Sequence, residues 1–334
     1  MSELWVVPAL DGPCTGGTLY NRELIAALRA RNVSCDVLTL REFLDGGAAR
    51  STARVWLDSL YLPHTARVRE HAPSLELGLL MHYLPSRVLA EDGSAEQLAL
   101  REQERGALQH ASRCLVPSPT LLAELAPIAE AARAFCVEPG VNTVARADRS
   151  DPPATAHALR AIVIANLTPN KDVLALLRAL AAATRDDDRF TLSIIGSEQL
   201  DVAYATQCRE LAHNAPQLRA RVRLHGALPH REVLARLASS DLLVSASRTE
   251  SYGMALAEAR AAGVPILARA GGHVAAHVDE QTGGELVENI DDLASALLRA
   301  ARDVAAMQQR RAAASSRRHV RSWDDAARDF LAAL

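Results

Sequence analysis

Two doubly wound α/β units joined by a linker make up the fold class this sequence predicts, and three observations predict it. Short apolar runs alternate with amphipathic helical runs along nearly the whole chain, as in parallel sheets covered by helices. The alternation breaks once, from Val144 to His157, where ARADRSDPPATAH is polar, proline-containing and aperiodic, as a linker between domains is. The chain has 334 residues, enough for two domains that each bury a core. The expected division is 1–150, then 151–318, with 319–334 as a terminal helix.

In the first unit, Leu4 to Leu10 reads as a buried strand and Thr18 to Arg31 as an amphipathic helix. Ser34 to Leu40 is a second strand, and the runs Arg54 to Leu62 and Leu77 to Tyr83 are also strand-like. Ala95 to Ala111 is a long helix with a polar face, followed by the short strand Cys114 to Pro117. After the linker the pattern restarts. Leu159 to Leu167, Phe190 to Gly196, Val222 to Gly226, Leu242 to Ala246, Ile266 to Arg269 and Gly284 to Val287 are strands. Asp172 to Thr184, Val202 to His213, His230 to Ala238, Gly253 to Ala262 and Asp291 to Ala305 are helices between or after them. An arginine-rich spacer then precedes a last helix, Trp323 to Leu334. Ligands of doubly wound units bind at the carboxyl ends of their strands, so the expected site is a cleft between the two units.

Composition excludes several classes. Apolar residues make up 49% and charged residues 23%, in the globular range, and a net charge of −3 offers no attraction to nucleic acid. Cys14, Cys35, Cys114, Cys136 and Cys208 form no CxxC pair, which argues against a disulfide framework or zinc site and for a reducing compartment. The N-terminus lacks the pattern of a signal peptide and no apolar run could span a bilayer, so a cytoplasmic location is expected. Of 37 basic residues 36 are arginine; the single lysine is Lys171. Where a chain that avoids lysine keeps one, the two readings are a need for a compact point charge on a flexible stem and a lysine that survived by chance.

The stretch DLLVSASRTESYGMALAEARAAGVP, from Asp241 to Pro265, is the densest in signals. A buried strand passes through a polar turn, Ser247 to Tyr252, into a helix closed by Gly263 and Pro265. Such a turn aims backbone N–H groups and the helix dipole at an anion or a sugar above the strand end. Glu250 lies in the turn and Glu258 in the helix. Upstream, Asp11-Gly-Pro-Cys-Thr-Gly16-Gly17 is a glycine-rich loop between the first strand and helix. It does not match G-x-G-x-x-G, which argues against a nicotinamide dinucleotide. His82 ends an apolar strand, and Lys171 lies at the mouth of a strand-to-helix turn, a sound place for a pyrophosphate counter-charge.

Glu250-Ser-Tyr-Gly-Met-Ala-Leu-Ala-Glu258, with the tail through Ile266, resembles the Glu-x7-Glu element of the family 4 retaining glycosyltransferases over seventeen residues in register. Gly16-Gly17 with Leu24-Ile-Ala-Ala-Leu28 resembles that family's first glycine loop. Val116-Pro-Ser118 and Glu138-Pro-Gly140-Val141-Asn142 resemble its V-S and P-N-G-V-D elements, the latter departing at Pro139 and Asn142. The stretch Ile164 to Asp172 resembles its G-R-L-x-x-x-K-G, with Lys171 matched but Asn166 in place of arginine and Asp172 in place of glycine. Gly271-Gly272-His273 resembles its G-G-x-x-E without the glutamate.

The resemblance implies the GT-B architecture, with the terminal helix crossing back to the first domain. It implies an acceptor domain followed by a nucleotide-sugar domain, a UDP-linked sugar as co-substrate, and no metal or other cofactor. Lys171, Glu250 and His82 would be catalytic. Gly16, Gly17, Asn166, Lys171, Glu250, Ser251, Tyr252, Gly253, Met254 and Glu258 would hold the donor: Glu258 the ribose, Glu250 and the N–H groups of Tyr252, Gly253 and Met254 the sugar and distal phosphate. Arg248 could stand in for the arginine absent at Asn166. The expected reaction is retaining, metal-independent transfer of a hexosyl group to a small-molecule acceptor. A sugar-nucleotide epimerase, a sugar phosphorylase and a non-catalytic nucleotide-sugar-binding protein are the alternatives.

Overall fold

The computed structural model describes residues 2–12, 14–46, 54–88, 93–128, 134–142 and 158–334. The predicted linker 144–157 lies outside the described residues. The chain divides into two compact units, Met1–Gly140 with Arg321–Leu334, and Val141–Val320.

The first unit is built on six parallel strands, β1 (Ser2–Val6), β2 (Ser34–Leu38), β3 (Arg54–Asp58), β4 (Glu76–Leu80), β5 (Arg113–Val116) and β6 (Ala134–Cys136), in the order β2-β1-β3-β4-β5-β6. Strand order reverses between β1 and β3, so the loops leaving those two strands diverge at their carboxyl ends and leave room for a ligand. Strand β1 ends at Val6 rather than running to Leu10. The run Arg54 to Leu62 is likewise not one strand: the Asp58 side chain accepts from the Leu60 N–H and turns the chain into a 3-10 helix, Ser59–His64, continued by the helix Thr65–His71. The helix Gly16–Ala30 starts from a capping box in which the hydroxyls of Thr15 and Thr18 each take the other's backbone N–H. Its apolar face, with Leu24, Ile25 and Leu28, is fully buried.

The terminal helix Trp323–Ala332 belongs to this unit. Phe330 is fully buried, with its ring 5.5 Å from that of Trp5 and 5.3 Å from that of Trp56. Arg31 grips Asp324 at 2.6 Å, and Tyr20 meets Trp323 edge-on. A Cβ on Gly140 would strike the backbone of Ser322 and Trp323, so glycine is what lets the helix start there.

The second unit has strands β7 (Leu159–Ile164), β8 (Phe190–Ile195), β9 (Val222–Leu224), β10 (Leu242–Ser245), β11 (Ile266–Arg269) and β12 (Glu285–Val287), again all parallel, in the order β12-β11-β10-β7-β8-β9. Here the reversal falls between β7 and β10, where the loops carrying Lys171 and Glu250 emerge. One face of the sheet packs on the helices Val173–Ala183, Val202–Asn214 and Ile290–Arg302 through Leu176, Leu177, Leu180, Cys208, Leu293 and Leu297. The other packs on His230–Ala238 and Met254–Ala262 through Leu237, Leu256 and Ala259. The helix expected to reach Ala305 stops at Arg302. Asp303 caps a further helix, Val304–Ser316, over what reads in sequence as an arginine-rich spacer.

Candidate active site

In the second unit, three loops meet above the carboxyl ends of β7, β10 and β11. The loop after β7 makes a single 3-10 turn, Pro169–Lys171, and enters the next helix through Asp172 with φ +49°. Aspartate tolerates this left-handed geometry better than most residues do, so the position keeps the backbone a glycine would give. Lys171 Nζ contacts Glu250 Oε1 at 2.6 Å, and the Ser247 hydroxyl donates to the same oxygen at 2.6 Å. Asn170 binds the second loop at two points, accepting from the Arg248 N–H at 2.9 Å and donating to the Thr249 carbonyl at 3.2 Å. The third loop completes the assembly. A Cβ on Gly271 would strike the Arg248 carbonyl, and one on Gly272, at φ +59°, the Glu250 carbonyl. His273 N–H donates to that carbonyl at 2.7 Å.

The residues standing where the resembling family has arginine and glycine have structural partners. Asn166 Oδ1 accepts from the Ser197 N–H at 2.8 Å, tying the loop after β7 to the one after β8. The Asp172 carboxylate takes Arg248 Nε at 3.1 Å and Arg269 Nη1 at 3.0 Å. Arg248 is therefore held beside Lys171, in company with Arg269, which sequence reading did not single out.

The turn enters its helix through Gly253 at φ +93°, a conformation glycine adopts without strain. Beyond it Met254 and Ala255 carry first-turn N–H groups with no carbonyl four residues back, the polar end that suits an anion. Ser251 is half-buried just before it. Tyr252 is buried, stacked on His273 at 5.6 Å and met edge-on by His277 at 4.9 Å. His277 Nε2 donates to the Tyr252 carbonyl at 2.7 Å, and burial pulls the ring's pKa down to about 4, so this histidine is neutral at physiological pH. Glu258 is 4% exposed and meets His230 Nε2 at 2.7 Å. A carboxylate this buried requires such a partner. The sequence spacing gives no hint of it, because the two residues lie on neighbouring helices 28 positions apart.

In the first unit, His82 follows β4 and Asp58 ends β3, next to the loop from β1 that leads to Gly16 and Gly17. His82 Nε2 is 2.9 Å from Asn21 Oδ1 and 3.2 Å from Asp58 Oδ2, while Asn21 Nδ2 donates to Asp58 Oδ2 at 2.6 Å. Burial pushes the Asp58 carboxyl up, but the His82 ring, the Leu60 N–H and the Asn21 amide outweigh it and hold the carboxyl below its usual range. Gly17 lies against the ring: a Cβ there would come 3.0 Å from His82 Cδ2. Gly16 opens the helix one residue earlier, at the surface. Thus Gly17 and His82 are neighbours within the first unit, and Lys171, Glu250 and Asn166 border one sheet edge in the second. Asn21, Asp58 and His230 were not legible as site residues. The one Asp-x-Asp spacing in the chain, Asp186 to Asp188, precedes β8 at the opposite edge of the second sheet, and Asp188 is paired there with Arg302 at 2.6 Å.

Residues 158–303 match the family model described as glycosyl transferases group 1. The matched stretch contains Lys171, Glu250 and Glu258. A D-inositol 3-phosphate glycosyltransferase of Streptosporangium roseum is 28% identical over 241 residues, 68% of this chain and 55% of that protein. An alpha-monoglucosyldiacylglycerol synthase of Streptococcus pneumoniae is 26% identical over 41% of this chain and 30% of its own length. The chain thus spans about half or less of these relatives. Among solved structures, a sucrose-phosphate synthase from Thermosynechococcus elongatus superposes with a TM-score of 0.79 at 18% identity, covering all of both chains. Anabaena HepE, solved with UDP-glucose, gives 0.76 at 17%, also over all of both. At such identity the likeness shows the fold, and the fold is that of the GT-B glycosyltransferases. Among the described residues, no helix is long and apolar enough to cross a membrane.

Proposed function

We propose that this chain transfers a hexosyl group from a UDP-linked sugar to a small-molecule acceptor, with retention of configuration and without a metal ion. The observation that carries this reading is the Lys171–Glu250 pair at the strand-order reversal of the second sheet, beside the amino end of the helix Met254–Ala262. A lysine there offsets the charge that builds on a departing diphosphate, and the first-turn N–H groups add to it. Glu250, shared between Lys171 and Ser247, is placed to accept hydrogen bonds from sugar hydroxyls through its second oxygen. Glu258, oriented by His230, takes the ribose hydroxyls. Arg248 and Arg269, gathered on Asp172, supply positive charge near the position where the resembling family has an arginine and this chain has Asn166. Structural neighbours solved with UDP and UDP-glucose support the choice of base.

The test is thermal stabilisation by a panel of UDP-, GDP- and ADP-sugars, followed by product analysis with the donor that binds. A ligand at a hundred times its dissociation constant adds about 2.7 kcal/mol to the native state. A shift confined to UDP-sugars, and a glycosylated product of unchanged anomeric configuration, are expected. No shift with any nucleotide sugar would sink the reading. Sugar isomerised without an acceptor would replace it with an epimerase.

A further inference from the structure

The hydrogen bonds around His82 fix more than its position. Asn21 is fully buried, and its amide NH2 is committed to the Asp58 carboxylate at 2.6 Å, so its other end, the carbonyl oxygen, is what faces His82. Asp58 is buried, and each of its oxygens already takes an N–H, Oδ2 from the Asn21 amide and Oδ1 from Leu60, so the carboxylate acts as an acceptor. Both groups facing His82 Nε2 are thus acceptors, and that nitrogen must carry the proton. In the neutral ring the other nitrogen, Nδ1, then keeps its lone pair, and it has no hydrogen-bond partner among the described residues. The ring cannot easily turn to exchange its two nitrogens. Gly17 lies against Cδ2 and Cγ, and Tyr20 meets the ring edge-on at 5.3 Å while its own hydroxyl is anchored to the Val137 carbonyl at 2.8 Å.

We infer that Asp58 and Asn21 are positioning residues that lock His82 as the Nε2–H tautomer, so that Nδ1 serves as the acceptor for a substrate hydroxyl. The arrangement needs all four contributors. The carboxylate and the amide oxygen both call for a donor, the amide NH2 prevents Asn21 from flipping, and Gly17 leaves room for the ring. The turn at Asp58 serves the same end. Its second oxygen takes the Leu60 N–H at 2.9 Å, which holds the carboxylate in one rotamer at the end of β3. The role of the hydroxyl acceptor rests on the glycosyl-transfer reading, whereas the tautomer does not.

Long-range proton–nitrogen correlation spectra of the histidine rings in the full chain read the tautomer directly, with His82 assigned by the signal lost in His82→Gln. The wild type is expected in the Nε2–H form. Asp58→Asn should shift population to the Nδ1–H form and lower kcat by about tenfold or more, as a wrong tautomer does in other histidine sites, with donor KM changed by less than about threefold. Asn21→Ala keeps the carboxylate and should move both readouts the same way by less, which covers the case of an Asp58 variant that does not fold. A wild-type His82 protonated on Nδ1, or variants that keep both tautomer and kcat, would overturn the inference. A wild type that turns over no nucleotide sugar, yet shows the Nε2–H form and its loss in Asp58→Asn, would overturn the glycosyl-transfer reading and leave the tautomer lock standing.

Discussion

At the scale of single residues, charge and burial set what the site can do. Lys171 is the only lysine among 37 basic residues and falls within 2.6 Å of a glutamate that a second side chain also holds. Removing one preorganised charge partner from a leaving group costs on the order of 10²-fold in turnover, so Lys171→Ala is expected to lose at least that much, measured as kcat with saturating donor. Activity within about threefold of wild type would remove Lys171 from the mechanism. His277 makes a separate prediction, about pH. Folded, it stays neutral down to about pH 4, because it is buried under Tyr252. Unfolded, it takes a proton near its ordinary value of about 6.5. Between those values the unfolded chain binds the extra proton, so its contribution to stability falls as pH drops through that window, by roughly 3 kcal/mol in all. Melting curves of wild type and His277→Gln across that range should converge toward the acid end, and parallel curves would contradict the assignment.

At the scale of elements, backbone geometry decides how the loops meet. Gly271 and Gly272 lie where a side chain would collide with the turn after β10. Gly272→Ala is therefore expected to displace Glu250 as well as strain a left-handed residue, at about 1–3 kcal/mol. Donor affinity should fall with the melting temperature, whereas Gly17→Ala, which asks His82 to yield only a few tenths of an ångström, should leave the fold intact. Much of this level was readable beforehand. Apolar runs closed by Gly263 and Pro265 mark the strand and helix around Glu250, and the runs after the linker alternate as they fold. What misled was local hydrogen bonding: Leu60 and Leu62 make Arg54 to Leu62 look like one strand, but the Asp58 side chain ends it by capping the turn. Partners distant in sequence were beyond reach for another reason. Asn21, Asp58 and His82 meet because the strand order sets β1, β3 and β4 side by side, and no spacing along the chain encodes that order.

At the scale of the molecule, each unit closes its own core, but the first does so with residues from both sides of the second. Phe330 fills the space against Trp5 and Trp56, and truncating a fully buried phenylalanine costs about 3–5 kcal/mol. Phe330→Ala should therefore weaken the first unit, read by faster hydrogen exchange of β1 and β3 amides with those of β7 and β8 unchanged. Equal loss of protection in both sheets would mean the terminal helix serves more than the unit it packs on. The same placement sets an order of events on the ribosome. Every strand of the second sheet has been translated by Val287, some forty residues before the side chain that covers Trp5 and Trp56 exists. The unit begun first is finished last, and its indole pair stays uncovered while the later unit takes shape, a window in which a chaperone's apolar grip has something to hold.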